Sequence, residues 1–359
     1  FQAEDGIRDV ERSRGLGDVY KRQSIHKRLI VSMFVLTTIL GSCLNINITN
    51  SNNLIKGFEL DPGTGDGGGT NGATIPYISY PDATDDKIKA EFIIIGMGED
   101  QNGEECIGAW EDAVLWCMWA SALFNNFYYE KYIDDNYTSF QFNVHLLGQK
   151  DSVIQDSLFD APESSSFKFD YHKATLQNIY DVTAEVVENS DPNDLLFFIY
   201  SGHGFEVTQT RHFVTAYDRT DLYDFNLKKL FEKFACADST TTYDSKLFLF
   251  MDTCHADGMN EIMSIKASKN VLMFAACESD STTRPIYFSN MPDGNNKHGA
   301  LTGYFMEEFW DKSSFSWKNF DLALEKIFDN IKPYVKSVST PVLEDGDTSS
   351  YFYLQFYDD

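Results

Sequence analysis

The sequence predicts an α/β fold: a three-layer sandwich with a six-stranded, mostly parallel sheet and helices on both faces. Three observations carry this. Apolar runs of strand length recur over residues 87–359. Segments with helical spacing separate them. Two of the runs end in polar turns, one carrying His203 and the other Cys254. Strands that alternate with helices favour a parallel sheet, because each crossover helix returns the chain to the same end of the sheet.

The elements follow in order. Glu91–Gly96 is a continuous apolar run and reads as a buried strand. Trp110–Phe124 is a helix, with Trp110, Ala113, Cys117 and Ala120 on one stripe. Phe140–Leu147 alternates as a strand. Thr175–Glu188 is a helix with Leu176, Ile179, Val182 and Val186 apolar. Leu195–Tyr200 and Lys246–Met251 are the two motif strands, with a helix at Asn226–Ala235 between them. Val271–Ala276 is a fifth strand. Helices follow at Gly303–Trp310 and Phe320–Ile331, and Tyr351–Phe356 closes the chain as the sixth strand.

Composition narrows the function. The 359 residues carry 55 acidic and 29 basic side chains, a net charge of -26. Phosphate recognition needs a basic face, so no nucleic-acid partner is expected. Six cysteines are too few for a disulfide scaffold in a chain of this length. Cys106, Cys117, Cys236 and Cys277 sit in apolar surroundings and read as buried thiols. There is no Cys-x-x-Cys pair, so neither a zinc site nor another metal centre is expected.

The first 86 residues read differently from the rest. Residues 1–23 lack apolar periodicity, are dense in mixed charge and resemble translated sequencing-adapter read-through; they are set aside from the fold. Residues 24–43 run from basic His26-Lys27-Arg28 through apolar Leu29–Leu40 to Gly41-Ser42-Cys43, the pattern of a signal peptide. The apolar run is shorter than the ~20 residues that span a bilayer. Leu40-Gly41-Ser42-Cys43 resembles a bacterial lipobox, which implies lipidation of Cys43, a membrane anchor and a cell-envelope location facing the periplasm or exterior. An ordinary secretory signal, with Cys43 incidental, is the alternative. Residues 44–86 are rich in Gly, Asn and Asp and read as a flexible tether. Gly63, Gly65 and Gly68 match G-x-G-x-x-G in form. No strand precedes them and no helix follows, so they are no dinucleotide site.

Chemistry concentrates at two strand ends. Open α/β sheets place ligands beyond the carboxyl ends of their strands. Cys254 sits there at the start of a polar loop, exposed to backbone N–H groups, as a nucleophile requires. His203 occupies the same topological position on another strand. Gly202 and Gly204 flank it and let the backbone turn sharply.

Tyr200-Ser201-Gly202-His203-Gly204 with Asp252-Thr253-Cys254-His255 resembles the caspase-like (clan CD) cysteine peptidases, in the metacaspase-type form of family C14 found in bacteria. Gly108-Ala109-Trp110-Glu111-Asp112-Ala113, Ala275–Ser281 and His298-Gly299-Ala300-Leu301-Thr302 are similar to further segments of that family. The resemblance covers residues 87–359. It implies peptide-bond hydrolysis, with Cys254 as nucleophile and His203 as general acid and base. The backbone N–H groups of Gly204 and Cys254 would form the oxyanion hole. Asp112 and Asp252 would line the primary specificity pocket, with Asp280 in the pocket loop. Paired carboxylates favour Arg or Lys before the cut, so protein or peptide substrates with basic cleavage sites are expected. No cofactor is implied. Calcium activation is known in some relatives, but the spacing of Asp218, Asp221 and Asp224 is not that of an EF-hand loop. Legumain-like or clostripain-like specificity is one alternative, and a catalytically silent caspase-like scaffolding lipoprotein is the other.

Overall fold

The computed structural model describes residues 73–77, 88–125, 140–153, 158–160, 162, 164–191, 194–234, 245–265, 270–318, 323–349 and 351–352. All of them fall within one compact unit, Ile55–Asp359. The leader, the signal segment with Cys43, most of the tether and Cys236 lie outside the described residues. Residues 73–77 lie against the domain, where Thr74 and Gln177 exchange hydrogen bonds of 2.8 and 3.0 Å.

The chain runs β1 (Ile88–Gly96), α1 (Ala109–Leu123), β2 (Phe140–Gly148), β3 (Phe167–Lys173), α2 (Leu176–Glu188) and β4 (Leu195–Ser201). A small antiparallel sheet follows, β5 (Gly204–Thr208), β6 (Arg211–Thr215) and β7 (Asp221–Tyr223), then α3 (Asp224–Phe231) and β8 (Lys246–Asp252). A 3₁₀ helix (Ala256–Ser264) leads to β9 (Val271–Ala275). The last elements are β10 (Pro285–Tyr287), β11 (Lys297–Gly299), α4 (Ala300–Phe309), β12 (Trp310–Asp311), β13 (Ser316–Trp317), α5 (Leu324–Val335) and β14 (Val342–Asp345).

The central sheet has seven strands, in the order β14-β9-β8-β4-β1-β2-β3. Every neighbouring pair is parallel except β14 with β9. The six-strand expectation is corrected in two ways. Phe167–Lys173 is an edge strand that the sequence reading passed over, although its aromatic and polar residues alternate. The antiparallel edge is Val342–Asp345, whereas Tyr351 and Phe352 are not in a strand. Val342–Asp345 carries no alternation of its own, and only pairing with β9 makes it a strand.

Strand alternation sends successive side chains to opposite faces, so each face has its own core. On one face Phe92, Phe197 and Phe250 meet α1 and α4 through Trp116, Trp119 and Phe305. On the other, Phe198 packs against Phe231 of α3. β4 is buried along its whole length and β8 at all but its first residue, because both lie in the middle of the sheet with helices on each side. Helix α1 is buried almost all round, since it fills the space between the sheet and α4. Thr175 caps α2, its side chain accepting from the Asn178 N–H at 3.3 Å. Among the described residues no helix is long and apolar enough to cross a membrane.

Candidate active site

The register of β4 against β8 builds the site. The strands are parallel and adjacent, and Ser201 is paired with Asp252. His203 and Cys254 each lie two residues beyond that pair, at the carboxyl edge of the sheet. The backbones stay in contact past the strand ends. A side chain at position 204 would collide with the Cys254 carbonyl oxygen and the Thr253 hydroxyl, so glycine is required there by close approach.

Both turns are held by hydrogen bonds. The buried Tyr200 hydroxyl lies 3.0 Å from the His203 carbonyl oxygen and 2.9 Å from that of Thr215. The Thr215 N–H donates to the same His203 carbonyl at 3.2 Å. The His203 ring is held by Nε2, which is 3.1 Å from the Glu105 carbonyl oxygen. A carbonyl can only accept, so Nε2 carries the proton and Nδ1 is the basic nitrogen of the neutral ring. The Cys254 thiol, half-buried, donates to the Thr283 carbonyl at 3.5 Å. His255 follows in left-handed conformation (φ 55°), which costs roughly 1–2 kcal/mol for a side chain of this size. Its Nδ1 lies 2.8 Å from the Ser279 carbonyl oxygen, and its N–H donates to Ser281 at 2.9 Å. The Cys254 turn is thereby tied to the loop 277–283. The His255 ring is engaged in that tie through Nδ1.

The carboxylates sit deeper than the thiol. Asp112, in the first turn of α1, is fully buried. It accepts from Ser201 Oγ at 2.6 Å, from the Gly299 N–H at 3.1 Å and from His298 Nδ1 at 3.0 Å. Asp252 is also buried and accepts from the Thr302 N–H at 2.7 Å through Oδ2, while Oδ1 has no hydrogen-bond partner. Burial and the nearby Asp112 push the Asp252 carboxyl up to about 7, against the pull of the Thr302 N–H. Gly299 packs directly on the Asp252 carboxylate, leaving no room for a side chain. Asp280 is exposed and accepts from its neighbour Ser281 at 3.2 Å. The fold thus brings Asp112 and Asp252 together and leaves Asp280 outside in the covering loop.

Two features had no clear signal in the sequence. His298 is wholly buried between two carboxylates, 3.0 Å from Asp112 and 3.5 Å from Asp293. Burial alone would lower its pKa, but hydrogen bonds and charge from Asp112 and Asp293 raise it to about 10. His298 is therefore an internal cation beside the site at neutral pH. Cys106 is the second, and it corrects the expectation of a buried thiol in apolar surroundings: it is part-buried and close enough to feel the charges of Asp112, Asp252 and Cys254. Burial first, and those charges second, push it up to about 12, so it stays protonated and unreactive. Asp218, Asp221 and Asp224 do not converge. They bond separately to Thr220 at 2.6 Å, Tyr223 at 3.2 Å and the Phe225 N–H at 2.8 Å.

The His298 cation makes a pH prediction. Its folded pKa of about 10 lies above the 6.5 of free imidazole. The stabilisation is therefore complete below about 6.5 and is lost as pH rises toward about 10. Urea denaturation should show His298→Gln less stable by about 3–5 kcal/mol at acid to neutral pH. The gap to the unaltered protein should narrow through the alkaline range. A gap independent of pH would contradict the buried imidazolium.

The family model for the caspase domain of peptidase family C14 matches residues 157–353, more than half of the chain, a span that includes His203, Cys254 and Asp252 but not Asp112. Metacaspase-1 of Candida albicans is 32% identical over 108 residues, 27% of this chain and 24% of that protein. The matched segment thus spans about a quarter of that relative. A crystal structure of a Geobacter sulfurreducens protein matches with a TM-score of 0.45 and 14% identity, over 73% of this chain and 95% of that one. The Drosophila initiator caspase Dronc matches at 0.41 and 13%, over 84% and 94%. From the family match, the chain belongs to the caspase-domain family, peptidase family C14.

Proposed function

We propose that this protein is a cysteine endopeptidase that cuts after Arg or Lys, with Cys254 and His203 as its catalytic pair. The observation that carries the reading is the Ser201–Asp252 register, which sets both side chains at one sheet edge. The Cys254 thiolate attacks the scissile carbonyl, and the backbone N–H groups of Gly204 and Cys254 receive the oxyanion. Such donors typically contribute ~2.7–4 kcal/mol to the transition state. His203 takes the thiol proton at Nδ1 and delivers it to the leaving amine. Water then attacks the thioester with His203 as base, releasing the acid and restoring the thiol. No cofactor takes part in these steps.

Support for basic specificity comes from Asp252. It lies two residues before the nucleophile, and its Oδ1 has no partner. A substrate guanidinium or ammonium supplies that partner and favours the ionised carboxylate. Asp112 lies behind it with its charge offset by His298, and Asp280 stands in the loop that covers the thiol.

The catalytic pair is tested by Cys254→Ala and His203→Ala. Each should abolish turnover of an Arg-containing peptide and leave the circular dichroism spectrum unchanged. The double variant should be scarcely worse than either single one, because the two act as a unit. Appreciable turnover by a single variant rules the mechanism out. Asp252→Asn should lower kcat/KM on basic substrates more than ~10-fold, from about 1.5–3 kcal/mol for a charged hydrogen bond. A preference for Asp, Asn or a bulky apolar residue before the cut would instead favour legumain-like specificity.

The N-terminal reading is also a proposal: Cys43 is lipidated and holds the domain at the cell envelope. Cys43→Ala in the full chain should lose incorporation of labelled fatty acid and keep peptidase activity. Continued labelling of that variant removes the anchor.

A further inference from the structure

The two faces of the sheet differ at the β2–β3 edge. Toward α1 these strands bury Phe142, Val144, Leu146 and Phe167. Toward the other face, strand alternation sends His145 from β2, Asp170 and His172 from β3, and Glu91 from β1. Glu91, His145 and Asp170 border an open cleft whose far wall is the end of α2.

The register brings three metal-ligand side chains together. His145 is paired directly with Asp170, and His172 lies two residues further along β3 on the same face. One ligand atom from each of the three lies within 4.8 Å of the others. The imidazole centroids are 6.5 Å apart and inclined by 31°. His172 Nε2 is 2.9 Å from Asp170 Oδ2.

A second observation concerns what stands behind His145. Strand β2 lies between β1 and β3, so His145 has Glu91 on one side and the Asp170–His172 pair on the other. Glu91 is 5% exposed. Its Oε1 accepts from Asn143 at 2.6 Å, while Oε2 has no hydrogen-bond partner and lies 3.4 Å from His145 Nε2. The other nitrogen, His145 Nδ1, is buried and also without a partner. A buried carboxylate with a free oxygen thus backs an imidazole with a free nitrogen. Unpaired buried polar groups of this kind are costly and call for an explanation. A cation on His145 answers both: it takes the free nitrogen, and the imidazole N–H it polarises is held by Glu91.

We propose that His145, Asp170 and His172 bind one divalent cation of the zinc class, with solvent completing the shell and Glu91 orienting His145. Two imidazoles with one carboxylate suit a borderline d-block ion, whereas calcium and magnesium take oxygen ligands. With metal–nitrogen bonds of about 2.0–2.1 Å, the three ligand atoms must close to roughly 3.3 Å. The Asp170 side chain is 61% exposed and free to swing inward. The bound ion would clasp edge strand β3 to β2, on residues separate from Cys254 and His203.

The test uses the full chain carrying Cys254→Ala, so that this thiol cannot compete for metal. Calorimetric titration with zinc chloride should give one ion per chain, and thermal unfolding should shift upward with zinc. Titration with cobalt(II) should give a tetrahedral ligand-field band without a thiolate charge-transfer band. His172→Gln and Asp170→Asn should each weaken zinc binding at least ~10-fold, and Glu91→Gln by about 10–100-fold, as outer partners of metal-bound histidines do. The Asp170 side chain is exposed, which favours Asp170→Asn as the gentlest of these changes, and circular dichroism checks the fold of every variant. Absence of saturable equimolar binding, a thiolate band, or unchanged affinity in both His172→Gln and Asp170→Asn would overturn the site.

Discussion

The pairing of Leu195–Ser201 with Lys246–Asp252 is the interaction on which the rest of the molecule depends. It is parallel, central and buried on both faces, and its last paired residues are Ser201 and Asp252. Because side chains alternate with a period of two, slipping the register by one residue would drive the apolar faces out of their cores and shift the two motif turns against each other. The aromatic packing therefore fixes the geometry of the site. Phe197 stacks on Phe92 at 4.5 Å, and Phe250 meets Trp116 at 4.7 Å. The small β5–β7 sheet then holds His203 from the far side, through the Thr215 bond to its carbonyl.

Behind the thiol the protein keeps two buried carboxylates and one imidazolium close together. Taking such charges out of water is expensive, and the attraction between them offsets the cost only when hydrogen bonds satisfy the remaining atoms. Asp112 meets that condition with Ser201, Gly299 and His298 as donors. Asp252 does not, since Oδ1 is left unpaired, and its carboxyl rises to about 7. Burial without full hydrogen bonding is what keeps that carboxyl above the usual carboxylate range. The same contrast recurs at the β2–β3 edge, where Glu91 Oε2 and His145 Nδ1 are the unpaired atoms.

Legibility followed the range of the interactions. The motif strands could be read because each is a short, continuous apolar run that ends in a turn. Phe167–Lys173 was readable in principle, since Phe167, Phe169 and Tyr171 alternate with Lys168, Asp170 and His172. Val342–Asp345 was not, because its strand character comes from pairing with β9. The tie between Asp112 and His298 was equally hidden. It joins the first turn of α1 to β11, and nothing local to either residue names the other.

The sequence by itself determined the layered α/β class, the two motif turns and the acidic surface, because these depend on local pattern and composition. Only the tertiary structure decided which polar residues meet. It set Asp112 against His298, left Asp252 half-satisfied, and lined up His145 with Asp170 and His172. Those meetings depend on strand order and register. Both are settled by how the two apolar faces pack, not by the polar residues themselves.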